Sequence, residues 1–317
     1  SVTWDELVNT RMDLCPIATA SVTIASITIN SVTDARKMIV AQDGVAPLVW
    51  TQSSKTLGNF FSFTALKNWL NLSAKSSNAV HSFRNLVKVR GTFNLAVGAT
   101  AYDLTGLTQP VIFDGEEAVF NIAANVGFTL GSNVTLRNFT FNYSGTGTAA
   151  SATSLINGSG PAGCLYGASG TSVSRLKIEN CLFRYASPTQ RPPFIFLELV
   201  KEQINSQIEI LSNSFEETGA STDLAQSQAA IVIRTLNSGG GTLPAVLINS
   251  RISHNYCNYK QGIFVTSVAS SGVAATPGLN VYATEISHNT CGMIGVVASS
   301  VVNTLATLAS LDLNTGL

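Results

Sequence analysis

The chain has 317 residues with 18 basic and 18 acidic side chains, so that only 11% of its residues are charged. A typical soluble domain has roughly 25% charged residues, and the surface here must be built largely from Ser, Thr, Asn and Gly. The balanced charge argues against the basic stripe of a duplex-binding protein. No apolar run approaches the roughly 18 residues of a membrane helix. We therefore expect no nucleic-acid partner and no membrane span.

The first 86 residues differ in pattern from the rest, and we predict that 1–86 form an N-terminal extension and cap. The segment 22–29 is rich in β-branched residues, which favours a strand. Asp43-Gly44 predicts a hairpin turn between 38–40 and 48–50. These signals describe an irregular start to the chain.

Residues 64–86 are the best helix candidate. Leu66, Trp69 and Leu70 fall on one helical face, and Thr64 is placed to cap the first turn. A stacked repeat domain exposes apolar interior at its first turn unless something covers it. We therefore expect this helix to cap the domain that follows.

Residues 87–317 change to short strands separated by Gly, Asn or Ser. The spacing is roughly ten residues per strand and turn, which is typical of all-β architectures. Asp114-Gly115 predicts a tight corner. The first candidate strands are 87–89, 92–95, 111–113, 119–122, 128–130 and 134–136.

A loose repeat fills the second half, in which an apolar strand ends on Asn and a second strand follows. Asn tolerates left-handed backbone and its amide can bond to an equivalent Asn, so we interpret these residues as one corner ladder. Loop-like stretches such as 237–242 and 270–276 separate the units and are expected on one side of a solenoid. The Asn residues are Asn138, Asn180, Asn213, Asn255 and Asn289, and the second strands are 164–166, 194–199, 231–234, 263–265 and 294–297.

Four segments carry a family resemblance: 113–120 (FDGEEAVF), 133–141 (NVTLRNFTF), 176–183 (LKIENCLF) and 252–255 (ISHN). Over roughly 87–317 the chain resembles right-handed parallel β-helix proteins, the pectate-lyase-like superfold that includes bacteriophage tailspikes and appendages. The resemblance implies an all-β, right-handed parallel β-helix with an irregular N-terminal segment and a capping helix. It concerns the fold and does not fix an activity.

Enzymes of this fold that cleave polysaccharides are similar to one another in needing clustered carboxylates. An acid and a base must lie about 5–9.5 Å apart across the scissile bond. Glu179 and Glu209 flank repeat strands of consecutive units, so both are expected to point outward from neighbouring turns, and they are the candidate catalytic pair. The alternative is a solvated charged face whose members pair with one another.

Repeated His and Cys residues offer further candidates. His254 and His288 recur in a Ser-His-Asn context, but two ligands without a third do not make a metal site. We therefore expect an outward ladder, no metal and no cofactor. Cys257 and Cys291 each follow a repeat Asn by two residues, which predicts stacked free thiols in the core. A disulfide between them is the alternative, because neighbouring turns bring Cα atoms within the range of about 4.4–6.8 Å.

Exposed aromatic rings can stack on sugars, and Tyr185, Tyr256 and Tyr259 are the candidate ligand-binding residues. The alternating segment 301–313 predicts a strand edge that needs cover, so we expect a homo-oligomer or larger assembly through the C-terminal strand.

These features favour a non-catalytic surface or virion-associated protein that serves attachment to a glycan or cell-surface receptor, or assembly. Its expected location is extracellular, at a cell surface or on a virion. The alternatives are a polysaccharide hydrolase or lyase that uses carboxylates of the repeat face, and a purely structural shell component.

Overall fold

The structure is a computed structural model. The part of the chain that it describes comprises residues 22–24, 27–29, 48–51, 62–71, 85–145, 163–167, 172–185, 192–199, 202–217, 230–236, 244–258, 262–268, 279–291 and 294–297. Within these residues the chain forms 23 strands and one helix, α1 (Phe63–Leu70).

The strands follow one another in short segments along the chain. In order they are β1 (Val22–Ile24), β2 (Ile27–Ile29), β3 (Leu48–Thr51), β4 (Asn85–Leu95), β5 (Tyr102–Asp103), β6 (Val111–Ile122), β7 (Val126–Leu130), β8 (Val134–Arg137), β9 (Thr140–Tyr143), β10 (Gly163–Gly167), β11 (Ser174–Glu179), β12 (Leu182–Tyr185), β13 (Ile195–Leu199), β14 (Ile204–Leu211), β15 (Ser214–Glu217), β16 (Ile231–Leu236), β17 (Ala245–Ile248), β18 (Arg251–Ser253), β19 (Tyr256–Cys257), β20 (Ile263–Val268), β21 (Leu279–Tyr282), β22 (Glu285–Ser287) and β23 (Ile294–Val297). Helix α1 lies between β3 and β4.

Successive turns of the chain stack their strands in parallel, and we call each turn a rung. One sheet, here sheet A, has the order β23-β20-β16-β13-β10-β7-β5. A second, larger sheet bends at a corner into two faces. Face B contains β8, β11, the end of β14, β18 and β22, whereas face C contains β9, β12, β15 and β19; β4 and β6 run through both. The predicted all-β parallel β-helix is confirmed.

Two predicted strand pairs are single strands. β4 spans both 87–89 and 92–95, and β6 spans both 111–113 and 119–122, with a register shift in their pairing between Lys88 and Arg90. The corner predicted at Asp114-Gly115 lies within this continuous strand rather than between two strands, because β6 pairs with β8 on face B up to Asp114 and with β9 on face C from Val119. Gly115 also has a packing role, since a Cβ there would clash with the ring of Phe139.

The interior of the coil contains a stack of phenylalanines on face C. Phe93 and Phe120 stack with centroids 4.4 Å apart, and Phe183 and Phe215 stack at 4.8 Å. Phe141 lies between these pairs and stacks on Phe183 at 5.0 Å. Each aromatic contact adds about 0.5–1.5 kcal/mol to the burial of its surface, so the stack favours in-register rungs.

The predicted capping helix is present but shorter than expected. α1 ends at Leu70, and residues 72–84 lie outside the described part. Leu66 is fully buried, and Phe63 packs its ring 5.1 Å from that of Trp50 on β3. The capping residue is Ser62 rather than Thr64, because the amide of Ala65 donates to Ser62 Oγ at 3.5 Å. Ser62 is thus the N-cap residue, at which a side-chain hydroxyl is commonly found.

The N-terminal segment also differs from its prediction. The stretch predicted as one strand is an antiparallel pair, in which Val22 lies opposite Ile29. β3 pairs in parallel with β4, Leu48 opposite Val87, and 38–40 lie outside the described residues. Parallel stacking therefore includes residues before 87, while the division at 86/87 stays a prediction.

At the corner between faces B and C, the predicted Asn ladder proves to combine two adjacent positions of the chain. In register, the left-handed corner position is occupied by Asn138, Asn180, Ser212, His254 and His288, all with φ between 51° and 60°. The position after it points inward and is occupied by Phe139, Cys181, Asn213, Asn255 and Asn289. The five Asn residues are thus two sets, of which the last three form a buried ladder.

In that ladder each side-chain amide bonds to the backbone, and those of Asn213 and Asn255 also bond to the next side-chain amide. Asn213 Nδ2 donates to Asn255 Oδ1 at 3.0 Å, and Asn255 Nδ2 donates to Asn289 Oδ1 at 2.9 Å. Asn255 Nδ2 also donates to the backbone oxygen of Ile210, and Asn255 Oδ1 accepts from the backbone N–H of Asn213. The ladder satisfies backbone groups that the corner removes from the strand pairing.

Four cysteines contribute to the interior, and two of them, Cys257 and Cys291, occupy equivalent positions because Tyr256 lies opposite Thr290. Cys257 lies in register with Phe215 and carries a free thiol, as do Cys164, Cys181 and Cys291. The predicted free thiols are confirmed, and the alternative disulfide is wrong. Burial raises the pKa of Cys181 to about 12 and that of Cys257 well above its ordinary value. Cys15 lies outside the described residues.

Replacing Asn255 with Ala should lower the free energy of unfolding by at least about 2 kcal/mol, because it leaves buried backbone groups without partners. Asn94→Ala is the control and should cost less than about 0.5 kcal/mol, since among the described residues this exposed amide only accepts from Asn121. Urea denaturation measures both. Equal losses in the two variants would contradict the ladder.

The four described thiols should resist alkylation by iodoacetamide in the folded protein, because burial withholds both access and the thiolate. After denaturation the same four thiols should react with iodoacetamide, because they are then exposed to solvent. Peptide mapping by mass spectrometry locates the modified residues, and rapid native modification of Cys257 or Cys291 would contradict their placement.

Candidate functional site

The charged residues on the outside of face B form two rows with alternating sign. Each member pairs in register with the next, one rung along. Opposite charges directly across a strand pair stabilise it, whereas like charges destabilise it. The first row is Lys88, Asp114, Arg137 and Glu179, and the second is Lys177, Glu209, Arg251 and Glu285.

Asp114 is the most enclosed acid of these rows, with 2% of its surface exposed. Lys88 Nζ and Arg137 Nη2 bind its Oδ2 at 2.7 and 2.9 Å, and Asn138 Nδ2 donates to Oδ1 at 2.9 Å. Burial raises the pKa of Asp114, but the hydrogen bonds from Lys88, Asn138 and Arg137 outweigh it and hold the pKa below its ordinary value. Asp114 is thus an ionised centre that joins three rungs.

The candidate catalytic pair shares one lysine. Lys177 Nζ lies 2.8 Å from Glu179 Oε2 and 3.8 Å from Glu209 Oε2. Both acids point outward on neighbouring rungs, but Glu209 faces Lys177 and Glu179 faces Leu211 in register. Their geometry therefore matches the alternative of a paired charged face, and a catalytic role stays a prediction.

The two histidines form the expected outward ladder. His254 and His288 are exposed at the corner position, with parallel rings whose centroids are 4.9 Å apart. Ser287 Oγ contacts both Glu285 Oε1 and His288 Nδ1. In a hydrolase triad the histidine lies between the acid and the serine, whereas here the serine is in the middle and is 1% exposed. The arrangement does not make Ser287 a nucleophile.

The outside of face C carries uncharged amides on its first rungs. Asn121 Nδ2 donates to Asn94 Oδ1 at 2.9 Å, and Asn142 Nδ2 donates to Asn121 Oδ1 at 2.8 Å. The same row continues with the ion pair of Arg184 and Glu216, 3.2 Å apart. Among the described residues each amide keeps a further donor and acceptor, so the row offers hydrogen bonds at intervals of about 4.8 Å.

Only part of the predicted aromatic set faces outward. Tyr256 is 45% exposed on face C, as expected. The expected exposure of Tyr185 is wrong, because it is 2% exposed and its hydroxyl donates to Gly145 O at 3.3 Å. Period-two alternation in β12 gives the reason, since Tyr185 shares the inner side with Phe183. Tyr259 lies outside the described residues.

A buried ion pair on sheet A was missed by sequence reasoning. Arg234 Nη2 binds Glu198 Oε2 at 3.0 Å, and its guanidinium lies 4.6 Å from the ring centre of Phe196. The two charges are in register on β13 and β16, so aligning the two second strands would have found them. Removing either residue would leave the other charge buried without its ion-pair partner. The pair therefore stabilises the fold.

Within the described residues, no three His, Cys, Asp or Glu side chains converge as metal ligands would. Among the same residues, no helix is long and apolar enough to span a membrane.

Comparisons with known proteins add no family. No protein-family model matches the chain, and neither a curated protein nor a solved structure matches it. The case for a function therefore depends on the geometry of the outer faces.

Replacing Asp114 with Asn should destabilise the protein near neutral pH by about 2 kcal/mol, because hydrogen bonds to a charged group are lost. A lowered pKa stabilises the fold above the ordinary value of 3.8, and this contribution is lost as the pH falls through the folded pKa. The difference in unfolding free energy between the wild type and Asp114→Asn should therefore shrink as the pH falls through the lowered pKa of Asp114.

Glu116→Gln is the matched control, since Glu116 contacts the same Lys88 at 3.3 Å but is 68% exposed. Denaturation at several pH values measures all three proteins. A pH-independent difference for Asp114→Asn, or an equal effect of Glu116→Gln, would contradict the assignment.

Proposed function

We propose that this chain is a non-catalytic β-helix protein of a surface or virion, and that it attaches to glycans through face C. The observation that carries the proposal is the row of bonded, uncharged amides at Asn94, Asn121 and Asn142, on the same face as the exposed ring of Tyr256. Amides that retain free donors and acceptors suit the hydroxyl groups of a neutral ligand. An aromatic ring supplies an apolar surface for a sugar ring.

The charged side chains of face B support a non-catalytic role. Glu179 and Glu209 are bound to Lys177, and Arg251 lies 3.5 Å from Glu285. A general acid needs a raised pKa and a base needs access to water. Carboxylates held in alternating ion pairs are instead suited to keeping the rungs in register.

A polysaccharide hydrolase or lyase is the second candidate, and one observation favours it. Glu179 and Glu209 both contact the same ammonium group, so their separation is compatible with the range of about 5–9.5 Å for paired catalytic carboxylates.

Assembly through the C-terminal strand also stays a prediction, because 301–317 lie outside the described residues.

A glycan array and a depolymerisation assay on acidic and neutral polysaccharides separate the two candidates. Attachment predicts binding without product, and a loss of about tenfold in affinity for Asn121→Ala, equivalent to about 1.4 kcal/mol. The double variant Glu179→Gln/Glu209→Gln is the control and should bind as the wild type does. Product formation that the double variant abolishes would establish the enzyme instead.

A further inference from the structure

The Ser-His repeat forms a distinct feature at the corner between faces B and C. Ser253-His254 and Ser287-His288 occupy equivalent positions on neighbouring rungs, with Ser253 opposite Ser287. The serines are buried, whereas both imidazoles are exposed and stack with an interplanar angle of 1°. Stacking in register explains why the motif recurs, but it does not explain the hydrogen bonding beneath the rings.

On the rung of β22, a chain of hydrogen bonds determines which ring nitrogen of His288 carries the proton. Glu285 Oε1 and Ser287 Oγ are in hydrogen-bond contact, and a carboxylate only accepts, so the serine hydroxyl donates to it. Ser287 Oγ then offers only lone pairs to His288 Nδ1, 3.0 Å away. In the neutral imidazole the ring proton is therefore on Nδ1, which leaves a lone pair on the outer nitrogen, Nε2.

On the rung of β18, no hydrogen bond between Ser253 and His254 is seen among the described residues. Ser253 is fully buried, and its hydroxyl has no hydrogen-bond partner among the residues that the structure describes. An unsatisfied buried hydroxyl costs about 1–3 kcal/mol and calls for an explanation. A ligand that donates a hydrogen bond to His254 Nε2 would favour the ring proton on Nδ1, the nitrogen that in His288 lies 3.0 Å from the hydroxyl of the preceding serine.

We propose that His254 and His288 are paired hydrogen-bond acceptors for the hydroxyl groups of a glycan, next to the ring of Tyr256. This inference rests on the proposed attachment function and assigns it a site. Tyr256 lies on the same rung as His254, two residues along the chain, and its ring is 45% exposed. The two outer nitrogens repeat with the rungs, as hydroxyl groups repeat along a polysaccharide.

Two other ligand classes fit this site less well. The lone pairs of two parallel rings lie in parallel planes and do not converge on one metal ion, and a stable site needs more ligands than two. An anion requires donors, whereas a neutral imidazole with its proton on Nδ1 presents an acceptor. The nearby charges, Glu285 and Arg251, form a pair at 3.5 Å and supply no net positive charge.

The tautomer is tested first, by nitrogen NMR of the imidazole rings in the full chain. The wild type should show His288 with its proton on Nδ1, and Ser287→Ala should shift the population toward Nε2. An Nε2-protonated His288 in the wild type, or no change in Ser287→Ala, would overturn the hydrogen-bond assignment. A merely structural serine would not move this signal.

Binding is tested next by calorimetry with neutral hexasaccharides, namely cellohexaose, mannohexaose and maltohexaose. His288→Asn keeps a residue that tolerates the left-handed corner and should weaken binding at least tenfold, while Ser287→Ala should weaken it about threefold. Ser212→Asn, at the same corner position two rungs before His288, is the matched control and should bind as the wild type does.

The outcomes distinguish this site from the proposed function. Hexasaccharide binding that Asn121→Ala weakens but His288→Asn does not would overturn the histidine site and leave attachment through face C. No binding of any hexasaccharide would contradict both. Binding of zinc ion or inorganic phosphate that perturbs both imidazoles, without hexasaccharide binding, would assign the site to a metal or an anion and overturn this inference.

Discussion

In-register parallel pairing is the constraint on which the rest of this structure depends. It places each side chain directly on its equivalent one rung away, so every position along the coil must tolerate its own neighbours. Three solutions occur: the stacked rings of Phe183 and Phe215 in the interior, the amides of Asn213 and Asn255 at the corner, and opposite charges on face B. Each is stable only when the rungs are in register.

This constraint changes how repeated polar residues are interpreted. A carboxylate such as Glu209 faces a base on the neighbouring rung because an acid there would be repelled, so its recurrence carries no catalytic information. Functional information is more easily found where the stacking rule leaves something unexplained. In the part of the chain that the structure describes, three features are of this kind: the exposed ring of Tyr256, the partly used amide of Asn121 and the hydroxyl of Ser253, which has no partner there.

Sequence patterns predicted the strands well because alternation and turn residues are local signals. All five second strands were located to within three residues at either end. The corner ladder was displaced by one residue because the left-handed position accepts Asn180, Ser212 or His254 equally, so aligning on Asn misses the register. The partners of Asp114 and the Arg234–Glu198 pair depend on contacts more than 20 residues apart, which no local pattern contains.

Cysteine cross-linking tests the register most directly. Lys177 and Glu209 are outward partners on adjacent rungs. Paired strands lie about 4.8 Å apart, which is within the range of about 4.4–6.8 Å between Cα atoms that a disulfide needs. Lys177→Cys combined with Glu209→Cys should therefore form a disulfide under mild oxidation. Lys177→Cys with Leu211→Cys, two residues out of register, should not, since diagonal neighbours lie about 7–8 Å apart. Efficient cross-linking of the second pair and not the first would contradict the stacking on which this account depends.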